Sequence, residues 1–184
     1  MFAALSALEA GVQQLIDLIR DVPDFPKPGI VFKDFMPLLA DPGGLALAVE
    51  MMANPYRGRG VQVVVGAESR GFIFGTAIAQ SLSAGFVPIR KPGKLPGSVH
   101  GADYALEYGE DRLEIHTDAI EPGTRVLLVD DLLATGGTLR ACGGLLRDKV
   151  DAQILGITVL IELEALAGRE GLDLFGELHA VLRL

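Results

Sequence analysis

The sequence predicts an α/β domain with a doubly wound, mainly parallel sheet flanked by helices. Two observations indicate this fold. The runs at 126–129 and 154–161 are rich in branched apolar residues, as expected of strands that are covered on both faces. Helical and strand patterns also alternate along the chain from residue 61 onward. With 184 residues, of which 49% are hydrophobic, the chain can bury one core, and we expect a single domain over residues 1–184.

The individual elements follow from local periodicity. An amphipathic helix is predicted first, because apolar residues recur at steps of three and four between Leu5 and Ile19. Pro42 favours the start of a second helix, since its fixed backbone angle suits a first helical turn. The elements predicted after it are a strand at 61–65, a helix at 72–84, strands at 86–90 and 126–129, a helix at 137–146, a strand at 154–161 and a short edge strand at 180–184.

The stretch between Lys91 and Arg112 has no sustained periodicity. It contains two prolines and four glycines, and it is longer than the roughly 12 to 15 residues usual for a structureless connection. Long loops of this kind are usually functional, so we predict a lid over about residues 91–114.

Composition excludes several classes of function. The formal net charge is −8 and no basic run is longer than Arg90-Lys91, which argues against a nucleic-acid partner. The chain shows no apolar stretch of the roughly 18 residues that a membrane span needs, and its amino terminus lacks a signal-peptide pattern. Cys142, the single cysteine, cannot form an internal disulfide. We therefore expect a cytoplasmic protein with no membrane partner.

The segment at 126–138 carries the clearest chemical signal. A buried strand ends at Asp130 and Asp131, and a glycine-rich turn then opens the next helix. Glycines let backbone N–H groups face an anion, and the helix dipole favours negative charge there. The residues predicted to hold a phosphate and the sugar attached to it are Asp130, Asp131, Ala134, Thr135, Gly136, Gly137 and Thr138.

Other phosphate-binding motifs do not match this segment. It lacks the lysine of a P-loop and the spacing of a dinucleotide-binding G-x-G-x-x-G turn. Ionised carboxylates only accept hydrogen bonds, and the adjacent hydroxyls of a ribose offer two donors. The pattern therefore predicts a ribose 5-phosphate group as ligand.

Residues 130–138 resemble the 5-phosphoribosyl-1-pyrophosphate (PRPP) signature of the type I phosphoribosyltransferases. Four further blocks, at 23–34, 68–72, 90–96 and 106–109, are similar to those of the adenine phosphoribosyltransferase family and occur in the same order. The similarity extends from about residue 19 to about residue 171. It implies the type I phosphoribosyltransferase fold, with a small amino-terminal hood at about 19–41 and a flexible catalytic lid. The lid would be an antiparallel flap whose brief strands contain Tyr104, Leu106, Tyr108 and Leu113.

The resemblance implies a reaction and a cofactor. The 5-phosphoribosyl group of PRPP would pass to adenine, giving AMP and pyrophosphate. Magnesium would be required, bound through PRPP and water near Asp130 and Asp131 with no direct protein ligand set. The family also implies a homodimer. A cis peptide bond is implied near Glu68 and Ser69.

Two further sets of residues take roles from the resemblance. The pyrophosphate would be bound by Glu68, Ser69, Arg70, Arg90, Lys91 and Lys94. Arg70 would also be a catalytic residue. Glu107, in the lid, is the candidate catalytic acid or base, exchanging a proton with a ring nitrogen of adenine.

The adenine would be read by Val31, Phe32 and Lys33, with Phe32 stacked on the purine. Lys33 stands where the family usually has arginine, and Phe35 and Met36 replace a small polar pattern.

Two alternatives stay open at this point. The base could be hypoxanthine, guanine or xanthine instead of adenine. The chain could also be a PRPP-sensing regulator without catalysis, although such proteins are expected to carry a helix-turn-helix or a basic face, and this acidic chain shows neither.

Overall fold

A computed structural model describes the backbone of residues 2–105 and 110–184 and the side chains of residues 8–104 and 111–184. The α-helices are α1 (Phe2–Asp17), α2 (Met36–Ala40), α3 (Pro42–Ala53), α4 (Gly71–Leu82) and α5 (Gly137–Gly144). The strands are β1 (Arg20–Pro23), β2 (Val31–Asp34), β3 (Val63–Ala67), β4 (Gly85–Ile89), β5 (Val99–Ala105), β6 (Glu110–His116), β7 (Arg125–Leu133), β8 (Gln153–Glu162) and β9 (Leu178–Arg183). Short 3₁₀ turns occur at Asn54–Tyr56, Glu164–Leu166 and Asp173–Phe175, and a π-helical turn at Leu145–Lys149.

Contacts between Cα atoms divide the chain into two compact units, Met1–Met51 and Met52–Leu184. The first unit contains α1, α2 and a hairpin in which β1 and β2 pair antiparallel. The second contains all the remaining strands. A single domain over 1–184, with a hood at about 19–41, stays a prediction.

The second unit is built on a five-stranded sheet in the order β4-β3-β7-β8-β9, with every neighbouring pair parallel. Chain order therefore reverses between β3 and β7, because the chain moves from β3 outward to β4 and then continues on the other side of β3. This confirms the doubly wound parallel sheet, and the edge strand near the carboxyl terminus is confirmed as β9. None of the described helices is long and apolar enough to cross a membrane.

The central strands are buried on both faces, as their apolar runs predict. Val64 and Val65 in β3 and Val126 to Val129 in β7 have no exposed surface. The strand predicted at 61–65 lies two residues later, because its pairing with β4 extends to Ala67 opposite Ile89. Strand β7 is longer than predicted, since Leu133 still pairs with Glu162 of β8.

Other boundaries also differ from the predictions by a few residues. Helix α1 ends at Asp17, short of Ile19. The helix predicted to end at residue 146 leaves regular α geometry after Gly144 and continues as the π-helical turn. The backbone leaves this turn through Asp151, whose φ is 51°, and Ala152 N–H then donates to the Leu146 carbonyl at 2.9 Å. The hairpin of β1 and β2 and the five-residue α2 were not predicted.

The lid segment contains a regular hairpin. Strands β5 and β6 pair antiparallel from Val99 opposite His116 to Ala105 opposite Glu110. Arg90 and Glu114 form a backbone bridge, so this hairpin is joined to the end of β4. Tyr104 and Leu113 lie in its strands as predicted, whereas the predicted positions Leu106 and Tyr108 lie outside the described residues.

The complete burial of the apolar residues of β7 predicts that truncating one of them destabilises the protein. We expect Leu128→Ala to lower the free energy of unfolding by about 2–5 kcal/mol, because it leaves a cavity in a fully buried strand. Leu174→Ala is the matched control, since Leu174 is 67% exposed and should cost far less. Urea denaturation measures both, and equal losses would contradict this account of the core.

Candidate active site at the carboxyl ends of β3 and β7

The site forms where the strand order reverses. Strands β3 and β7 are hydrogen-bonded neighbours, with Val65 opposite Leu128 and Gly66 opposite Val129. Parallel neighbours end at the same edge of a sheet, and open α/β sheets bind ligands at such a reversal. The residues after β3 and the last residues of β7 therefore share one edge, as the sequence predicted.

Asp130 and Asp131 lie in the second half of β7 and are almost completely buried. Asp131 N–H donates to Asp130 Oδ1 at 2.9 Å. Burial and the adjacent Asp131 carboxylate raise the pKa of Asp130 well above its ordinary value. A Cβ on Gly71 would approach Asp130 Oδ1 to 2.8 Å, so glycine at this position lets the start of α4 lie directly against the carboxylate.

Arg70 approaches the second carboxylate. Its Nε lies 2.7 Å from Asp131 Oδ2, an ion-pair distance. Asp131 Oδ2 is nevertheless a buried oxygen without a hydrogen bond of good geometry among the described residues. Buried polar atoms are normally satisfied, so this oxygen is an acceptor that a ligand hydroxyl could use.

The glycine-rich turn encloses a small cavity. A cavity of about 80 Å³ is lined by Asp130 and by residues 132–139, which include the five predicted phosphate-binding residues Ala134, Thr135, Gly136, Gly137 and Thr138. Gly136 has a φ of 81°, a left-handed conformation that glycine adopts without strain. Helix α5 begins at Gly137, so its amino-terminal N–H groups and positive dipole end lie at this cavity. The turn has the structure expected of an anion cradle.

Glu68, the first residue after β3, contacts three basic residues that follow β4. It accepts hydrogen bonds from Arg90 Nε at 3.2 Å and from the Lys91 backbone N–H at 3.0 Å, and it pairs with the Lys94 ammonium. Burial opposes ionisation of Glu68, but these hydrogen bonds and the charges of Arg90 and Lys94 outweigh it and lower the pKa of the carboxyl. The peptide bond between Glu68 and Ser69 is cis, as the resemblance implied.

Lys91 is paired with a different carboxylate. Its ammonium contacts Asp111 of β6, and Tyr104 of β5 donates its hydroxyl hydrogen to the same Asp111 oxygen at 3.1 Å. The Lys91 hydrogen bond is the main cause that lowers the pKa of Asp111. Burial raises the pKa of Tyr104, and the Thr138 side chain of the glycine-rich turn opposes this shift, so the lid hairpin lies close to that turn.

The four predicted pyrophosphate cations therefore all face carboxylates. Arg70 faces Asp131, Arg90 and Lys94 face Glu68, and Lys91 faces Asp111. The structure brings these cations to one edge of the second unit, but their role toward pyrophosphate stays a prediction. Glu107 lies outside the described residues, so its predicted role is not tested by the structure.

The predicted adenine segment lies in β2 of the first unit. Val31 is 50% exposed, and Phe32 packs edge-on against Phe25 with ring centroids 5.3 Å apart. Lys33 Nζ donates to both carboxylate oxygens of Asp21, at 2.8 and 2.9 Å. The departure at residue 35 has a structural reason, because Phe35 is buried, with 1% of its surface exposed.

Three residues that contact the site were not predicted to be site residues. Asp111 and Tyr104 contact the site only through hairpin pairing and hydrogen bonds, which a linear pattern does not show. Arg140, in the first turn of α5, donates to the Thr135 carbonyl at 2.7 Å. Its position directly after the glycine-rich turn was the only available signal. No group of three or more possible metal ligands occurs among the described side chains, those of residues 8–104 and 111–184.

The chain matches the family model of the phosphoribosyl transferase domain over residues 38–173. It is 57% identical over 164 residues to an adenine phosphoribosyltransferase of Rhodopirellula baltica, which covers 89% of this chain and 79% of the relative. Both comparisons include the β3 and β7 segments described above.

Solved structures give the same result. The structure of an adenine phosphoribosyltransferase from Rhodothermus marinus matches with a TM-score of 0.89 and 48% identity, covering 96% of this chain and 99% of that one. A Saccharomyces cerevisiae adenine phosphoribosyltransferase, in complex with an imino-altritol bisphosphate and adenine, matches with a TM-score of 0.88 and 37% identity, covering 95% and 99%.

The lowered pKa of Glu68 predicts an acid dependence of stability. Because the folded-state pKa lies below the ordinary value of 4.5, Glu68 stabilises the fold fully above about that pH. The contribution is lost as the pH falls through the folded pKa. We expect Glu68→Gln to show a smaller loss of melting temperature than the wild type between pH 5 and pH 3.

Glu121→Gln provides the control for this experiment, because Glu121 is an exposed carboxylate. It should keep the wild-type pH dependence. If the Glu68 and Glu121 variants behaved alike, the ion pairs of Glu68 would not be the source of the acid dependence.

Proposed function

Because the chain belongs to the adenine phosphoribosyltransferase family, we infer that it transfers the 5-phosphoribosyl group of PRPP to adenine, giving AMP and pyrophosphate. The observation that carries this inference is that two buried carboxylates of β7 are followed directly by a glycine-rich turn with the structure expected of an anion cradle. A diol acceptor beside a phosphate cradle is what a ribose 5-phosphate requires.

We assign the 5-phosphate to the cradle at residues 134–138. Its support is the cavity of about 80 Å³ at the amino terminus of α5. The ribose hydroxyls are assigned to Asp130 and Asp131, since Asp131 Oδ2 is a buried acceptor with no well-formed hydrogen bond among the described residues. Together these groups fix the sugar, and fixed orientation supplies a large part of the catalysis of a displacement reaction.

Pyrophosphate binding would proceed by exchange of ion-pair partners. Arg90 and Lys94 face Glu68, Lys91 faces Asp111 and Arg70 faces Asp131, so an incoming pyrophosphate would replace these carboxylates as their partners. Ser69 adds a hydroxyl donor on the same segment. These cations would then stabilise the negative charge that develops on the leaving group.

The donor set near β7 is compatible with magnesium. Hard divalent cations prefer oxygen ligands and keep several waters, so two carboxylates and the substrate oxygens suffice without a dedicated protein cage. Asp130 and Asp131 would hold the ion, in part through water. When bound, magnesium neutralises charge on the pyrophosphate.

The remaining steps are the displacement and a proton transfer. The bond from the anomeric carbon to pyrophosphate breaks, the electron pair leaves with pyrophosphate, and a ring nitrogen of adenine forms the new bond with inversion. The carboxylates favour the positive charge that develops on the ribose. Adenine is assigned to Val31, Phe32 and Lys33, and the proton lost by the base is assigned to Glu107.

The wider setting is also proposed. The enzyme would act in the cytoplasm as a homodimer, with PRPP, adenine, AMP and pyrophosphate as its partners and with neither nucleic acid nor membrane among them. The net charge of −8 supports the exclusion of nucleic acid.

An assay of pyrophosphate release tests the reaction and its base. PRPP and magnesium should support turnover with adenine but not with hypoxanthine, guanine, xanthine or orotate. Activity with another base would correct the substrate. No activity with any base, together with PRPP binding, would favour a PRPP-sensing regulator.

The double variant Asp130→Asn and Asp131→Asn tests the diol assignment. It should raise the KM for PRPP at least about tenfold, because hydrogen bonds to charged acceptors contribute roughly 1.5–3 kcal/mol. The KM for adenine and the melting temperature should change little. The exposed Asp118→Asn variant is the control, and an unchanged KM for PRPP in the double variant would remove the assignment.

A further inference from the structure

A second loop forms the back wall of the phosphate cradle. We call residues 134–138 the phosphate loop and residues 164–171 the back loop. A Cβ on Gly168 would lie 2.1 Å from the Ala134 carbonyl oxygen, and a Cβ on Gly136 would lie 2.2 Å from the Gly168 carbonyl oxygen. The two backbones are therefore in direct contact, with no room for a side chain between them.

Arg140 ties the two loops together. Its Nη2 donates to the Thr135 carbonyl at 2.7 Å, and its Nη1 donates to the Glu170 carbonyl at 2.9 Å and to the Gly168 carbonyl at 3.4 Å. A guanidinium presents its donors in a rigid planar fork, so these hydrogen bonds fix the spacing between the loops.

The back loop is itself anchored to the sheet. Arg169 forms a two-point contact with Glu162 at the end of β8, with Nε to Oε1 and Nη2 to Oε2 both at 2.6 Å. Glu162 is only 4% exposed, and paired, buried contacts of this kind are poorly screened by solvent. Arg169 also donates to the Leu178 carbonyl at 3.1 Å. Arg140 therefore links the phosphate loop to the back loop, which Arg169 anchors to β8 and β9.

The hydrogen bond to Thr135 sets the orientation of one peptide group. The carbonyl of Thr135 and the N–H of Gly136 belong to the same peptide, which is trans. In a trans peptide these groups point in opposite directions, so the guanidinium that holds the carbonyl directs the N–H away from itself. A cation on the carbonyl also strengthens the N–H as a donor.

We infer that Arg140 is a positioning residue of the phosphate loop, which holds the Gly136 N–H ready for the 5-phosphate of PRPP and AMP. This inference rests on the proposed assignment of the 5-phosphate to residues 134–138. Arg140 acts through the backbone and need not touch the substrate, since its side chain donates to backbone carbonyl oxygens of the two loops.

Equilibrium binding separates this role from general stability. We expect Arg140→Gln to weaken AMP binding about tenfold in calorimetry. The variant loses a charge-assisted hydrogen bond that orients the Gly136 N–H toward the phosphate. The AMP affinity of Arg140→Lys should lie between those of the wild type and Arg140→Gln, because an ammonium keeps the positive charge but cannot donate to all three carbonyls. Pyrophosphate, which carries no 5-phosphate group, should bind all variants equally.

Arg147→Gln is the matched control, because Arg147 carries the same charge in the following π-helical turn but pairs with Asp148 at 2.7 Å. It should leave AMP binding unchanged. If it weakened AMP binding as much as Arg140→Gln does, loss of charge alone would explain the result and the inference would be wrong.

Thr138→Ala distinguishes failure of the inference from failure of the proposed site. If this variant weakens AMP binding and Arg140→Gln does not, the phosphate assignment stands and Arg140 has no positioning role. If neither variant affects AMP binding, the assignment itself is wrong and the inference falls with it. If Arg140→Gln weakens AMP and pyrophosphate equally and lowers the melting temperature, Arg140 only stabilises the fold.

Discussion

The parallel pairing of β3 with β7 is the constraint on which the rest of the site depends. It places the turn after β3, with Arg70, beside the carboxylates of β7. The pairing also requires glycine at residue 71, because any larger side chain would meet Asp130. The reversal of strand order makes this junction an open crevice, whereas the neighbouring strands β8 and β9 continue the sheet beyond it.

Much of the fold could be predicted from the sequence, because the buried parallel strands are continuous apolar runs and the helices between them have clear periodicity. The strands β3, β4, β7, β8 and β9 were all found, with boundaries shifted by a few residues. The hairpin of β1 and β2 was missed, since each strand has four residues and neither is apolar throughout. A pattern this short does not separate a strand from a loop.

The site residues were likewise predicted only in part. The sequence of residues 130–138 is contiguous, so its carboxylates and glycines could be interpreted together. Asp111 and Arg140 could not be predicted as site residues from the sequence. Asp111 contacts Lys91, 20 residues away, and Arg140 contacts the back loop, about 30 residues away. Tertiary contacts of this kind follow from the fold and leave no local pattern. The ion pairs of Arg90 and Lys94 with Glu68 are similar cases.

The paired cations have a consequence for how charge enters the site. Because arginines and lysines at this edge already carry carboxylate partners, the crevice has little net positive field before a ligand arrives. Association of the proposed pyrophosphate would then be an ion-exchange process, in which salt weakens the internal pairs as well as the contacts with the ligand. The two effects oppose each other, so the affinity for a polyanion should depend less steeply on ionic strength than the number of cations suggests.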